Sequence, residues 1–343
     1  MDVRQNTLYL TTPGLYISRD GLTLRVEQDR ELRLSIPIHH LESVCLFGPM
    51  TMTPQALELC WEHGVGVNCF SEFGYFIGRW EGVANTSVML RRNQYRAADD
   101  PEKSNLAASR FIAGKIQNAR QSLLRSARES ENSEESLRLQ DVSEELTKML
   151  RLLKKSLSVD TTRGLEGQSA ALYFSVFSLH LKQQREDFLF KVRSRRPPLD
   201  RINCLLSYLY ALLLHDAIAA LTTTGLDPYV GFLHVDRPNR PSLALDLVEE
   251  FRPLLADRLA ITLVNRKQID SGDFNIREGG AVEFTEKGRK KVLVAYQTRK
   301  QDEVRHPVLD QDVRVGQIMM IQSRILARHL RGDIPDYLPC VLR

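Results

Sequence analysis

Across the first 80 residues apolar positions come in short runs or alternate with polar ones; beyond residue 100 they recur every three or four positions. The first pattern predicts strands and the second predicts helices. Thr7-Leu8-Tyr9-Leu10-Thr11, Leu15-Tyr16-Ile17-Ser18 and Leu22-Thr23-Leu24-Arg25-Val26 are β-prone, and Arg19-Asp20-Gly21 between the last two is a strong hairpin signal. Leu32 to Ile38 alternates with period two, and further strands are expected at Leu41 to Gly48, Gly64 to Phe70 and Tyr75 to Trp80. A short helix is expected from Pro54 to His63, with Thr53 as cap and proline at its first position. The expected fold class is α+β. A small β-rich domain spans residues 1–80, a connector 81–100, and a larger, mainly α-helical domain 101–343.

In the helical part Asp100-Pro101 starts a helix whose stripe contains Ile112, Ile116, Ala119 and Leu123. A second helix begins near Glu134 with the stripe Leu139, Val142, Leu146, Met149, Leu153 and Leu157, an antiparallel partner for the first. Leu205 to Leu221 is the most apolar segment. It contains His215 and Asp216 and is polar at both ends, so a buried helix capped by Asp200 is expected, ended by Thr222-Thr223-Thr224-Gly225, and no membrane span. A basic helix over Thr285 to Gln301 and a last helix from Val313 to Leu330 complete the pattern.

Three stretches carry candidate chemistry. In Thr162-Arg163-Gly164-Leu165-Glu166-Gly167 two glycines bracket one glutamate at the expected entrance of an apolar helix. Small residues admit a close approach, while the helix dipole alone accounts for a carboxylate in a first turn. Gly231-Phe232-Leu233-His234 opens a Pro-rich loop, and Pro241 is expected in the first turn of the helix that follows. Along that helix Leu243, Leu247, Phe251 and Leu254 form the apolar stripe, with Asp246 and Glu249, three residues apart, on its margin. Carboxylates at a core margin with an imidazole one loop away suit a metal site and equally suit a capping salt bridge.

Charge and cysteines narrow the classes. A net charge of +4 with pI about 8.8 is a mild basic excess, compatible with nucleic acid. Lys191-Val192-Arg193-Ser194-Arg195-Arg196-Pro197-Pro198 places four cations in six residues, as a phosphate-contacting loop or a solvated linker would. Five cysteines without a Cys-x-x-Cys pair argue against a zinc ribbon and a disulfide framework, leaving buried reduced thiols. His39-His40 has no carboxylate at ligand spacing and reads as a solvent-facing strand end. Met1 to Asn6 lacks the start of a signal peptide, so the expected compartment is the cytoplasm.

Gly-x-Glu-Gly-x-x-Ala at Gly164, Gly-x-Leu-His at Gly231 and Ser-Leu-x-x-Asp-Leu-x-Glu-x-Phe-Arg-Pro at Ser242 follow one another in a specific order and spacing. On these elements the chain closely resembles, over essentially its whole length, the CRISPR-associated spacer-acquisition integrases, the universal metal-dependent endonucleases of CRISPR adaptation. Ile36-Pro37-Ile38-His39-His40-Leu41-Glu42 is similar to type I systems, type I-C in particular. The resemblance implies a Mg²⁺ or Mn²⁺ site with Glu166, His234 and Glu249 as ligands and catalytic residues, and Asp246 near the metal. It implies that a DNA 3′-hydroxyl attacks a phosphodiester at the edge of a CRISPR repeat, with water as nucleophile in the endonuclease reaction. The implied partners are double-stranded and branched DNA (prespacer and repeat), a second copy joined through the β-rich domain, and a small second adaptation protein bridging two dimers. Arg163, Arg193, Arg195, Arg196, Arg237, Arg240 and Arg252 are the candidate DNA-backbone contacts. Two other readings compete: a non-catalytic DNA-binding scaffold of the same fold, and a metallohydrolase of small phosphoesters, which needs no extended cationic surface.

Overall fold

Asp20-Gly21 turns the chain as the hairpin signal requires, with Gly21 at φ 58° between paired strands β2 (Tyr16–Asp20) and β3 (Thr23–Gln28). The computed structural model describes residues 6–71, 76–80, 88–156 and 158–342, and the chain divides into two units, residues 1–86 and 87–343. With β1 (Asn6–Leu10), β4 (Glu31–Pro37), β5 (Leu41–Phe47), β6 (Thr51–Met52), α1 (Pro54–Glu62), β7 (Gly66–Phe70) and β8 (Phe76–Trp80), the first unit forms two four-stranded sheets. Their orders are β1-β5-β7-β8 and β4-β3-β2-β6. Ile17, Leu24 and Val26 from one sheet and Leu10, Val44 and Val67 from the other share a core with Ala56, Leu59 and Cys60 of α1. Thr53 caps α1, accepting from Ala56 N at 3.2 Å. The alternation in β4 does not bury a face: Leu32 and Leu34 stay 52% and 38% exposed. His39 and His40 lie exposed in a 3-10 turn between β4 and β5.

The second unit begins inside the stretch expected to be a connector. Residues Val88–Asp99 form α2, because Gln94 is wholly buried and its amide satisfies a distant loop. Gln94 Nε2 donates to Asp227 O at 2.7 Å and Val230 O at 2.8 Å, and Gln94 Oε1 accepts from Asp227 N at 2.9 Å. Asp100 then caps α3 (Pro101–Arg128), and α4 (Ser133–Leu153) packs along it through Leu139, Val142 and Leu146. Leu157, the last residue expected on that stripe, lies outside the described residues.

Helix α5 (Val159–Ser175) starts five residues before Gly164, capped by Ser158, which accepts from Thr161 N at 3.2 Å. Glu166 therefore sits in mid-helix and not in a first turn, so the helix dipole does not account for it. Helix α6 (Arg201–Thr224) is long and apolar enough to cross a membrane, yet most of it is buried inside the unit. It runs through the threonines expected to stop it and ends on Gly225 at φ 92°.

Helix α7 (Ser242–Phe251) begins one residue after Pro241 and continues through a π-helical turn, Arg252–Asp257, into α8 (Arg258–Asn265). Two hairpins follow that periodicity does not reveal, β9 (Phe274–Ile276) with β10 (Val282–Phe284) and β11 (Glu303–His306) with β12 (Gln311–Arg314). Strands of three and four residues are too short to display an alternation. They flank α9 (Glu286–Gln301) and precede α10 (Val315–Arg331).

The segment after α10 is latched onto α7. Glu250 is fully buried, accepts from Cys340 N at 2.8 Å and receives the Tyr337 hydroxyl. Burial pushes its carboxyl up to about 8, against the pull of these donors. Gly114 of α3 lies under this latch: an added Cβ would meet Pro339 Cβ at 2.8 Å and Glu250 Cγ at 3.0 Å. Gly114→Ala is expected to destabilise the protein by about 1–3 kcal/mol through overpacking. The check is a melting curve, and an unchanged midpoint would mean that this segment is loosely packed.

Candidate active site

Asp246 organises the site from within. Its side chain is completely buried on α7, where an unpaired carboxylate is costly. The loop after α6 supplies the missing donors. Asp246 Oδ2 accepts from Phe232 N at 2.6 Å and Leu233 N at 2.9 Å, and Oδ1 accepts from His234 N at 3.0 Å. The His234 ring closes the set, with Nδ1 2.6 Å from Asp246 Oδ1. A carboxylate only accepts, so Nδ1 carries the proton and, in the neutral ring, Nε2 keeps its lone pair free. Gly231 makes the approach possible: a Cβ there would lie 2.8 Å from Asp246 Oδ2 and 2.8 Å from the Ser242 carbonyl carbon.

The same loop is tied from two further sides. Ser104 Oγ of α3 donates to Phe232 O at 3.1 Å. Arg163 Nη2 of α5 donates to Leu233 O at 2.9 Å.

One turn along α7, Glu249 faces two cations. Its Oε1 pairs with Arg252 Nη1 at 2.8 Å and its Oε2 with Lys115 Nζ of α3 at 2.6 Å. Lys115 also donates to Glu166 Oε1 of α5, so both glutamates share one ammonium. Burial pushes the Glu249 carboxyl up, but Arg252, Lys115 and His234 outweigh it and hold it well below the usual range. Burial likewise lowers Lys115, and Glu249 and Glu166 more than restore it, so the ammonium is favoured. Glu249 is thus an anion at neutral pH, with His234 in its field.

Of the residues expected in the site, Glu166 and Glu249 meet at Lys115, while Asp246 and His234 meet each other. Among the described residues no three acidic, histidine or cysteine side chains form a ready metal cage. Asp246, expected near a metal, uses both its oxygens on the His234 loop. The arginines divide. Arg252 is committed to Glu249 and lies 4.8 Å over the Tyr210 ring. Arg193 bonds Asn203 Oδ1 at 2.7 Å and Ser207 Oγ at 3.1 Å, 5.3 Å over the same ring. Arg163 serves the loop carbonyl. Arg195, Arg196 and Arg237 are exposed and Arg240 half-buried, without an ion partner among the described residues.

Two features escape sequence reasoning. Lys115 sits beside Ile112, Ile116 and Ala119 on the buried face of α3, so a cation on an apolar stripe is the signal that marks it. A groove of about 690 Å³ between α8 and α9 is lined by Arg258, Arg266, Lys287 and Lys290, which have no ion partner among the described residues. Lys291 and Arg299 join them, paired to Asp273 at 2.6 Å and Asp302 at 2.7 Å. The basic character of α9 is legible in its sequence, but its groove partner α8 is not.

Two carboxylates around one cation, with an oriented imidazole beside them, make the helical unit a candidate metallonuclease. Comparison with known proteins gives it a family. A model described as CRISPR associated protein Cas1 matches residues 8–298. The CRISPR-associated endonuclease Cas1 1 of Moorella thermoacetica is 46% identical over 343 residues, covering 100% of both chains. A casposase bound to its integration product has the same fold, with TM-score 0.83 at 24% identity over 97% of this chain and 92% of that one. So does a chain of a Cas6-RT-Cas1–Cas2 complex, with TM-score 0.82 at 24% identity over 99% of this chain and 36% of that one. The chain belongs to the CRISPR-associated Cas1 family.

Asp246→Asn replaces one acceptor by a donor that faces backbone N–H groups. It is expected to cost about 2–4 kcal/mol and to release His234. Thermal melting reads the first effect. A ring ¹⁵N NMR signal of His234 with its tautomer unchanged would contradict the second.

Proposed function

We propose that Glu166, His234 and Glu249 hold one Mg²⁺ or Mn²⁺, and that the centre joins DNA 3′-hydroxyl ends to a CRISPR repeat by transesterification. As a Cas1 family member, 46% identical to a named endonuclease over its whole length, the chain is a CRISPR-associated endonuclease and integrase of the adaptation module. The single observation that carries the site reading is that Glu166 and Glu249 already share a cation, the Lys115 ammonium.

The donor set fits a hard divalent ion. Two carboxylates and an imidazole suit Mn²⁺ or Mg²⁺, and no thiolate is present to favour zinc. Glu249 Oε2 is buried with the Lys115 ammonium at 2.6 Å, the cationic place that a metal would take over. When bound, such an ion polarises a phosphoryl oxygen and stabilises the charge that develops at the attacking and leaving oxygens. The chain's own residues prepare that reaction. Asp246 keeps the His234 ring oriented and, in the neutral ring, places the proton on Nδ1 and the lone pair on Nε2. Arg252 keeps Glu249 ionised. Gly164 and Gly167 flank Glu166 on a face where an added Cβ would meet nothing, which leaves room for a DNA strand against the helix.

The duplex lies along cations. Arg195, Arg196, Arg237 and Arg240 remain available, and the groove of Arg258, Arg266, Lys287 and Lys290 adds an extended phosphate-binding surface. That surface favours DNA over a small phosphoester, and three competent ligand positions speak against a mere scaffold. A second copy docks through the β-rich unit, where Leu32 and Leu34 of β4 and Ile77 and Trp80 of β8 are exposed. A small Cas2-type protein bridges two such dimers, a reading supported by the complex of like fold, in which Cas1 is assembled with Cas2. The type I-C assignment and a cytoplasmic location belong to the same proposal.

Glu166→Ala, His234→Ala and Glu249→Ala are each expected to lower strand joining at least about 100-fold in Mn²⁺ while DNA binding persists. EDTA should abolish joining by the unaltered protein. Unchanged joining in two of the three variants removes the site. Arg258→Glu with Lys290→Glu should weaken duplex binding and flatten its salt dependence by about one unit per lost phosphate contact. An unaltered slope would show the groove to be solvated surface.

A further inference from the structure

We propose that Lys115 is the resident counter-ion of the centre: its ammonium holds Glu166 and Glu249 together in the metal-free protein, and a divalent ion binds by displacing it from Glu249. The inference rests on the metal reading above and deepens it.

Lys115 bridges the two glutamates: it donates to Glu166 Oε1 and lies 2.6 Å from Glu249 Oε2. The other oxygen of Glu249 is held by Arg252 at 2.8 Å. The Lys115 ammonium is therefore the cation on Oε2, and a divalent ion that takes this oxygen replaces the ammonium there while Arg252 keeps Oε1.

Charge counting points the same way. Glu166, Glu249 and Asp246 face Lys115 and Arg252, so with a neutral His234 ring the centre carries one negative charge. A divalent ion added on top leaves one surplus positive charge in a largely buried place unless an ammonium withdraws or phosphate arrives. Arg252 is poorly suited to withdraw, since its guanidinium is planar and lies 4.8 Å over the Tyr210 ring. Lys115 carries a point charge on a flexible stem. Beside it is a cavity of about 30 Å³, room for about one water, lined also by Tyr210, Arg252 and the buried carboxylate of Asp257. That cavity is mostly apolar, and it gives the displaced ammonium room to turn toward the Asp257 carboxylate and the Tyr210 hydroxyl on its wall.

The test is a Mn²⁺ titration of DNA-free protein by calorimetry, with melting curves in EDTA and in Mn²⁺, for wild type, Lys115→Met, Lys115→Gln and Glu249→Gln. Both neutral Lys115 variants should bind Mn²⁺ on the order of tenfold more tightly than wild type, melt lower in EDTA, and gain more from Mn²⁺. A variant that folds only with Mn²⁺ supports the proposal more strongly still. Mn²⁺ affinity equal to or weaker than wild type in both overturns it and makes Lys115 a structural ion pair. If wild type and both variants bind no Mn²⁺, or Glu249→Gln binds it as wild type does, the metal reading itself falls and the proposal with it.

Discussion

Three carboxylates are buried on one ten-residue helix, α7, and each must be satisfied from a different direction. Asp246 draws in the His234 loop, Glu249 draws Lys115 and Arg252, and Glu250 draws the segment around Tyr337 and Cys340. Buried charge without partners is among the most costly states a fold can hold. The requirement to satisfy α7 therefore brings α3, α5, the loop after α6 and the last residues to one place. The site follows from that requirement, because the groups recruited to neutralise the helix are those that gather the candidate ligands.

The three acids meet the requirement by different physics. Asp246 is answered by backbone donors and a ring N–H, so it fixes geometry. Glu249 is answered by cations, so it stays charged. Glu250 is answered by a phenol, an amide and a backbone N–H, with no cation beside it, and its carboxyl is pushed up to about 8. One helix thus presents an orienting carboxylate, an ionic one and a mainly structural one within five residues. The division explains why Asp246, with no lone pair to spare, acts through His234.

Much of this was legible in the sequence. Alternation in the first 80 residues and three-to-four spacing afterwards locate most elements, because strands of five to seven residues and helices of several turns are long enough to show a period. The His234 loop and the α7 acids carry a recognisable order and spacing. What was not legible has physical reasons. Gln94 turned an expected connector into α2 because its amide satisfies carbonyls more than 130 residues away. Ser158 started α5 ahead of the glycines, which a helix tolerates at about 1 kcal/mol each. Lys115 did not stand out beside its stripe, since only the tertiary fold shows two glutamates arriving from other helices. Arg252 and Arg193 looked like free cations until Glu249, Asn203 and Tyr210 were seen around them.

The central claim is that Glu166, His234 Nε2 and Glu249 bind one divalent ion on a frame set by α7. Anomalous scattering from crystals grown with Mn²⁺ tests it most directly. The account predicts a single strong peak about 2.1–2.3 Å from a carboxylate oxygen of Glu166, Nε2 of His234 and Oε2 of Glu249, with the Lys115 ammonium moved off that oxygen. A peak elsewhere, or no peak with Lys115 still seated between the two glutamates at saturating Mn²⁺, would contradict it.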